Sequence, residues 1–310
     1  MIEGTKVGHK EKEKSIFDDT ESLIKLSKKL SAVYENRPEI MSFEGCMKGT
    51  KFESEYNIEE LKRDENYIKE TRGRIEKDEQ NSFDGEDLEW KEKGFQLSEI
   101  MQVMVIDLMN KNWFKNTKTI MTSDYDDLKV GIDAVLKDKR GGFIGTSFDF
   151  TISNQEKIIN KKLNKNWDEN IKDGRIPRVK YFQDPDTKEK GKLLVPKFII
   201  GALKKDVEEF VNAYLSGNEK DLEQHPFKYL LLLQIEEQLQ TVLDLYETSD
   251  DPKLNFAKNK YREIQTMLRF MKKEIHLDEK ARDLDLYEYS KGSIALNTMR
   301  QFRMKRGREM

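Results

Sequence analysis

Cysteine is almost missing from this 310-residue chain, since Cys46 is the only one. An intrachain disulfide is therefore excluded, and a reducing compartment fits the count. Long apolar runs are missing as well: the longest, Tyr229 to Leu233, is far shorter than the about 20 residues that cross a bilayer. The first residues contain no apolar segment of the kind that forms a signal peptide. These absences predict no membrane partner and a cytoplasmic location.

A dominant sign of charge is also lacking. The chain has 56 Lys and Arg against 59 Asp and Glu, a formal net charge of -3. A surface for nucleic acid would therefore have to be local. The three histidines lie far apart and lack the close spacing of zinc-binding helices. Because charged residues make up 37% and hydrophobic residues 36%, we expect a compact centre with polar helical extensions.

Three regions of the chain differ in their residue patterns. Residues 1–94 are highly charged and predict a partly helical N-terminal arm, with helices at Thr20 to Tyr34 and Glu59 to Arg74. Residues 95–218 alternate helical and strand patterns and predict an α/β core that begins with a largely buried helix. Residues 219–310 predict a helical C-terminal region. The expected fold class is α+β, with a mixed central sheet flanked by helices and helical extensions at both ends.

Two aspartates stand out inside the core region. Lys129 to Leu136 and Phe143 to Ile152 have strand patterns, and the Lys-Asp-Lys-Arg-Gly-Gly segment between them predicts an antiparallel hairpin. Asp133 lies in the first of these strands and Asp149 in the second, each among apolar residues where an unpaired charge is costly. The strongest partner for two such carboxylates is a divalent cation, Mg²⁺ or Mn²⁺. The alternative is that both acids meet solvent or backbone N–H groups.

The order of helices and strands, with Asp133 on one strand and Asp149-x-Thr151 on the next, resembles the PD-(D/E)XK nuclease superfamily. The resemblance implies an αβββαβ core and a metal-dependent phosphodiesterase that acts on DNA or RNA. It also implies that the two aspartates hold Mg²⁺, and that Glu99, at the start of the buried helix, adds a third carboxylate. Thr151 stands where the family has a lysine, and its hydroxyl carries no charge.

The missing lysine leaves two alternatives open. In the first, its role has moved to Lys157 or Lys161, which share one face of the next helix, or to Lys180 on the following strand. In the second, the site is inactive and the domain is a nuclease-like scaffold that binds a protein partner through its terminal helices.

Further charged residues near these motifs and at the C-terminus have their own candidate roles. Asp126 and Asp127 are either cap residues ahead of a strand or accessory groups, as metal ligands or as residues that orient them. The residues expected to contact the phosphates of a nucleic acid are Lys162, Arg303, Lys305 and Arg306.

Overall fold

The computed structural model describes residues 25, 26, 28, 52–81, 100–139, 146–152, 155–184, 186–275 and 293–309, which form a mixed α/β protein. The helices are α1 (Ile58–Asn81), α2 (residues 100–108, continued by a π-helical turn at Met109–Trp113), α3 (Asp124–Val130), α4 (Glu156–Glu169), α5 (Lys204–Ser216), α6 (Glu219–Glu223), α7 (Phe227–Thr248), α8 (Asn255–Glu274) and α9 (Ile294–Glu309). The strands are β1 (Thr117–Met121), β2 (Ala134–Asp138), β3 (Thr146–Ile152), β4 (Arg178–Gln183), β5 (Lys190–Leu194) and β6 (Lys197–Ala202).

The strands form one mixed sheet and one separate hairpin. The mixed sheet has the order β1-β2-β3-β6, in which β1, β2 and β3 are antiparallel neighbours and β6 runs parallel to β3. Strands β4 and β5 pair antiparallel with each other. The predicted mixed sheet and the predicted antiparallel pairing of β2 with β3 are therefore confirmed.

The strand predicted from Lys129 begins later than expected. Lys129 and Val130 are the last residues of α3, and β2 starts only at Ala134. Ser123 caps α3 by accepting a hydrogen bond from the Asp126 N–H, and three aspartates in the first turn suit the positive end of the helix. Gly131 ends the helix with a φ of 67°, a left-handed conformation that glycine adopts easily. Cap chemistry therefore overrides the apolar alternation on which the strand was predicted.

Strand β1 was not predicted from the sequence. Its five residues, Thr117 to Met121, are all buried except Lys118, so no alternation of apolar and polar residues marks it. Its place in the sheet depends on pairing with β2, in which Ile120 lies opposite Val135. With β1 included, three antiparallel strands precede α4.

Helix α2 lies at the centre of the hydrophobic core, as its periodicity predicts. Met101, Met104, Val105 and Leu108 are buried, and so are Val103 and Ile106 on the flanks of that stripe. The large cluster of buried residues around α2 extends through β3, β6 and α4 into α7, α8 and α9. The boundary expected after residue 218 thus does not separate two hydrophobic clusters, and the division into regions stays a prediction.

Two glutamines attach the C-terminal helices to the sheet. Gln238 of α7 accepts from the Ile199 N–H (2.9 Å) and donates to the Ile199 carbonyl (2.8 Å). Gln234 makes the same pair of bonds with Gly201, at 2.7 and 2.9 Å. Four residues of helix and two of strand both advance by about 6 Å, so the two side chains match alternate residues of the strand. Strand β6 is an edge strand, and these amides satisfy backbone groups that an edge leaves unpaired.

The terminal regions are partly described. The predicted helix from Glu59 to Arg74 is confirmed within α1, whereas the helix predicted from Thr20 to Tyr34 lies outside the described residues except for helical positions at Lys25, Leu26 and Lys28. Across the described part of the chain, every helix falls short of the length and apolarity needed to cross a membrane.

His225 makes the stability of this fold depend on pH. Its ring packs edge-on against Phe210 with centroids 4.9 Å apart, and its Nδ1 accepts the N–H of Phe227 (3.2 Å). Burial lowers the pKa of His225 from 6.5 to about 4, so the native state keeps it neutral while the unfolded chain takes up a proton. The free energy of unfolding is therefore expected to fall as the pH drops through 6.5 and to stop falling from this cause below about 4, a loss of about 3 kcal/mol.

Urea denaturation between pH 7.5 and 4, followed by circular dichroism, measures this loss. The matched control is His225→Asn, because Oδ1 of asparagine replaces Nδ1 as the acceptor for Phe227 and does not titrate. The variant should depend less on pH than the wild type. Equal pH dependence of the two proteins would contradict the assignment to His225.

Candidate functional site

The site forms where the end of α3, the start of β2 and the middle of β3 meet α4. Asp133 lies one residue before β2 and is held by the strand beside it: its N–H donates to the Phe148 carbonyl (2.8 Å), and its Oδ2 accepts the N–H of Phe150 (2.6 Å). Gln102 of α2 donates to the main-chain carbonyl of Asp133 (3.2 Å). The prediction that Asp133 lies within a strand was thus wrong by one residue, although its carboxylate does face β3.

Asp149 on β3 is buried and pairs with two ammonium groups. Nζ of Lys162, on α4, lies 2.5 Å from Oδ1 of Asp149 and 3.3 Å from the Phe150 carbonyl oxygen. Nζ of Lys197, at the start of β6, lies 3.4 Å from Oδ2 and donates to the Val130 carbonyl (3.0 Å). Lysines from two other elements therefore pair with Asp149, whereas β3 itself has Thr151 two residues beyond it.

Asp127 completes a group of three carboxylates. Its side chain shares a hydrogen bond with that of Asp133, and both groups feel the charge of Asp149. Burial raises the pKa of Asp133 well above its usual value, and the negative charges of Asp127 and Asp149 raise it further. Burial also raises the pKa of Asp127, although the bond from Asp133 acts in the opposite direction. Both carboxyl groups of this pair therefore have raised pKa values, because burial and the neighbouring negative charges disfavour their ionised forms.

Lys162 keeps its charge in this setting. Burial by itself would lower the pKa of its ammonium group, but the carboxylates of Asp149 and Asp133 outweigh burial and raise it. An ammonium that touches a carboxylate oxygen and a carbonyl oxygen occupies a position suited to a cation.

Two features of the structure favour glycine at position 131. Its φ of 67° is unfavourable for other residues. A Cβ added there would lie 3.2 Å from Oδ2 of Asp149 and 3.3 Å from Nζ of Lys197. The turn after α3 thus lets the backbone approach the ion pair closely.

The two lysines predicted to replace the missing one do not reach the acids. Lys157 and Lys161 are both exposed, whereas Lys162, expected only as a phosphate contact, holds Asp149. Successive residues of a helix rotate by about 100°, so Lys162 lies beside the buried residues Ile159 and Leu163. The positions of the apolar residues around α4 were the signal that distinguishes Lys162, beside the buried face, from Lys157 and Lys161 on the exposed face. Lys197 was missed because nothing in the sequence links it to a strand almost fifty residues earlier.

Asp126 and Lys180 make hydrogen bonds and ion pairs with β4 and α1. Both oxygens of Asp126 are used by the backbone of β4, through the N–H groups of Lys180 (2.6 Å) and Tyr181 (3.0 Å). The ammonium of Lys180 binds Asp64 and Glu60 of α1 and lies 4.8 to 5.3 Å from the centroids of three tyrosine rings, those of Tyr56, Tyr125 and Tyr181. The structure thus places both groups in contact with β4 and α1, and their accessory roles stay predictions.

The remaining predicted residues lie in several places. Thr151 is buried opposite Gly201 of β6, two residues beyond Asp149. Arg303 pairs with Glu237 and Asp244 at 3.4 Å, so its charge is balanced within the protein. Arg306 donates to Asn164 (2.7 Å) and stacks on Trp167, while Lys305 is exposed. Glu99 lies outside the described residues.

Metal ligation and known relatives give no independent support for a function. Across the described ranges, no group of three or more His, Cys, Asp or Glu side chains is arranged to hold a metal ion. Comparisons of the chain with protein-family models, with curated proteins and with solved structures find no significant match. The resemblance to the PD-(D/E)XK superfamily therefore stays a prediction.

Proposed function

We propose that this protein is a metal-dependent phosphodiesterase that cleaves DNA or RNA. The observation that carries the proposal is the meeting of Asp133, Asp149 and Lys162. Asp133, just before β2, accepts the N–H of Phe150 beside Asp149 and interacts electrostatically with Asp149, and a charged lysine from the next helix contacts Asp149. Buried titratable groups with shifted pKa values, such as Asp133 and Lys162, are concentrated at functional sites.

The order of elements supports the same proposal. Helix α2 is followed by β1, the short helix α3, and then β2 and β3; α4 comes next, and β6 runs parallel to β3. With α3 counted as an insertion between the first two antiparallel strands, the main elements are a helix, three strands, a helix and a strand. This is the helix, three strands, helix, strand order that the PD-(D/E)XK resemblance implies. The β4–β5 hairpin is inserted between α4 and β6.

The donor atoms suit a hard cation such as Mg²⁺ or Mn²⁺. The carboxylate oxygens of Asp133 and Asp149 and the carbonyl oxygen of Phe150 belong to the class of ligand that these ions prefer. The Lys162 ammonium already lies against two of these oxygens, which supports the view that a positive charge is stable there. When bound, the metal would supply positive charge to the attacked phosphate and lower the pKa of water.

The side chains have distinct roles in this proposal. Lys162 would donate hydrogen bonds to a phosphate oxygen, where negative charge grows in the transition state. Lys197 would hold the Asp149 carboxylate in place from the opposite side. Asp127 would orient Asp133 through their shared hydrogen bond.

A second candidate function is an inactive scaffold that binds a protein partner. The specific observation in its favour is that both oxygens of Asp149 already pair with ammonium groups, so the ion pairs balance this acid without a metal. In this case the site would stabilise the junction of β3, α4 and β6, and any partner would bind elsewhere.

Calorimetric titration with Mg²⁺ and Mn²⁺ separates these two candidates. We expect the wild-type protein to bind one of the ions and Asp133→Asn to bind it about 10-fold or more weakly, because a ligand oxygen is replaced by an amide NH₂. The matched control is Asp173→Asn, which changes an exposed aspartate after α4 and should bind like the wild type. If the wild-type protein binds neither ion and cleaves neither plasmid nor single strands in their presence, the phosphodiesterase is ruled out and the scaffold is the remaining candidate.

A further inference from the structure

Helix α4 presents a row of cations to solvent. Lys157, Lys161 and Lys165 follow each other at intervals of four residues, and all three are exposed. At 1.5 Å per residue the row has steps of about 6 Å and a length of about 12 Å. None of the three forms a salt bridge with an acid among the described residues. Asp168, near the end of the helix, pairs with Lys172 instead.

This row lies between the candidate site and α9. Lys162 contacts Asp149 on one flank of α4. Asn164 lies two residues later, a rotation of about 200° around the helix, and so faces the opposite flank, where its side-chain oxygen accepts a hydrogen bond from Arg306 of α9. Trp167 stacks edge-on against Phe302 of α9 with centroids 5.8 Å apart, which fixes the two helices together. Lys305 and Arg308 are exposed on α9.

The arrangement fits a polyanion better than a protein surface. The exposed part of α4 has one large apolar side chain, Ile158, which is 41% exposed, and a protein interface normally has an apolar centre. One strand of a nucleic acid presents a phosphate about every 3.4 Å along its axis, so the row spans about three or four phosphates. The chain as a whole carries a net charge of -3, so this concentration of exposed cations is a local feature.

We infer that the solvent face of α4, flanked by the exposed basic residues of α9, is a docking surface for the sugar-phosphate backbone of a nucleic acid. The inference rests on the proposed function for the class of substrate, and it adds the path by which a strand reaches Asp149. A strand that crosses this face runs from α9, over Lys157, Lys161 and Lys165, toward Lys162.

The test measures binding without cleavage, by fluorescence anisotropy in EDTA. The probes are labelled single-stranded DNA, duplex DNA and single-stranded RNA, each 20 nucleotides or base pairs long. Binding of each probe is measured at several KCl concentrations between 50 and 200 mM. The variant Lys157→Gln/Lys161→Gln/Lys165→Gln is expected to bind the preferred probe about 10-fold or more weakly than the wild type, with a salt dependence shallower by about 2 in the log–log slope.

The control is Lys62→Gln/Lys69→Gln/Lys77→Gln, which removes three exposed lysines from α1 and changes the net charge equally. It should bind like the wild type. Equal loss in both triple variants, or no binding of any probe by the wild type at 50 mM KCl, would overturn the docking surface.

The outcomes also separate this inference from the proposed function. If the wild type binds oligonucleotides through α4 but never cleaves them with Mg²⁺ or Mn²⁺, the docking surface stands and the phosphodiesterase fails. If the wild type cleaves and the α4 variant cleaves with unchanged KM and kcat, the phosphodiesterase stands and the docking surface fails.

Discussion

Replacing Asp149 by asparagine is expected to abolish metal-dependent cleavage, with a loss of about 10³-fold or more in kcat/KM. Asp149 is the acid that contacts Lys162 and Lys197, and the amide that replaces it has one acceptor oxygen and no charge. Loss of several kcal/mol of electrostatic stabilisation at a metal site corresponds to about three powers of ten in rate. Nicking of supercoiled plasmid and cleavage of labelled single strands in Mg²⁺ or Mn²⁺ measure this loss.

Two further variants show whether this loss is catalytic. Lys162→Met removes the ammonium and should lower the rate by about 10²-fold while metal binding is kept, since the carboxylates remain. Asp168→Asn changes an exposed acid on the same helix and should cleave like the wild type. Thermal unfolding of all three variants establishes that they fold. If the Asp149→Asn protein is folded and cleaves as fast as the Asp168→Asn protein, the proposal that Asp149 belongs to a catalytic site is refuted.

The variant Gln234→Ala/Gln238→Ala is expected to lower the free energy of unfolding by about 4 kcal/mol or more. The two side chains make four hydrogen bonds with the backbone of Ile199 and Gly201, and both glutamines are buried. Each buried N–H or carbonyl left without a partner costs about 1–3 kcal/mol. Alanine has a helix propensity at least as favourable as that of glutamine, so the loss would come from the strand and not from α7. Urea unfolding followed by circular dichroism measures it.

Gln240→Ala supplies the matched comparison for this effect. Gln240 lies on the same helix and donates to Asp244 one turn later (2.6 Å), a contact worth about 0.5 kcal/mol. The double variant should therefore be much less stable than Gln240→Ala. If both unfold at the same urea concentration, the amide bonds to β6 contribute little and the apolar contacts of α7 alone attach it to the sheet.

Local patterns in the sequence predicted much of the framework around the site. The spacing of Met101, Met104 and Leu108 predicted a buried α2, because a helix that is apolar over most of its circumference has to lie inside. The turn residues between the two acids predicted the antiparallel pairing of β2 with β3. Ser123 followed by three aspartates is the pattern of a helix N-terminus. Interpreted as a helix start, it would have predicted α3.

Tertiary structure decided which charged residues meet. Asp126 and Asp127 are neighbours in the chain, yet the first binds the backbone of β4 and the second binds Asp133. That difference depends on how α3 lies between two strands, which a single sequence does not specify.

Local sequence patterns were enough to predict two aspartates in apolar surroundings beside an antiparallel strand pair, with Asp149 inside a strand and Asp133 misplaced by one residue, since periodicity and turn chemistry act within about twenty residues. The partners of Asp149 were decided only by the fold. Lys162 depends on the phase at which α4 packs against the sheet, and Lys197 on the parallel pairing of β6 with β3. Such contacts join residues that are distant along the chain, and their geometry is set by packing and not by local conformational preference.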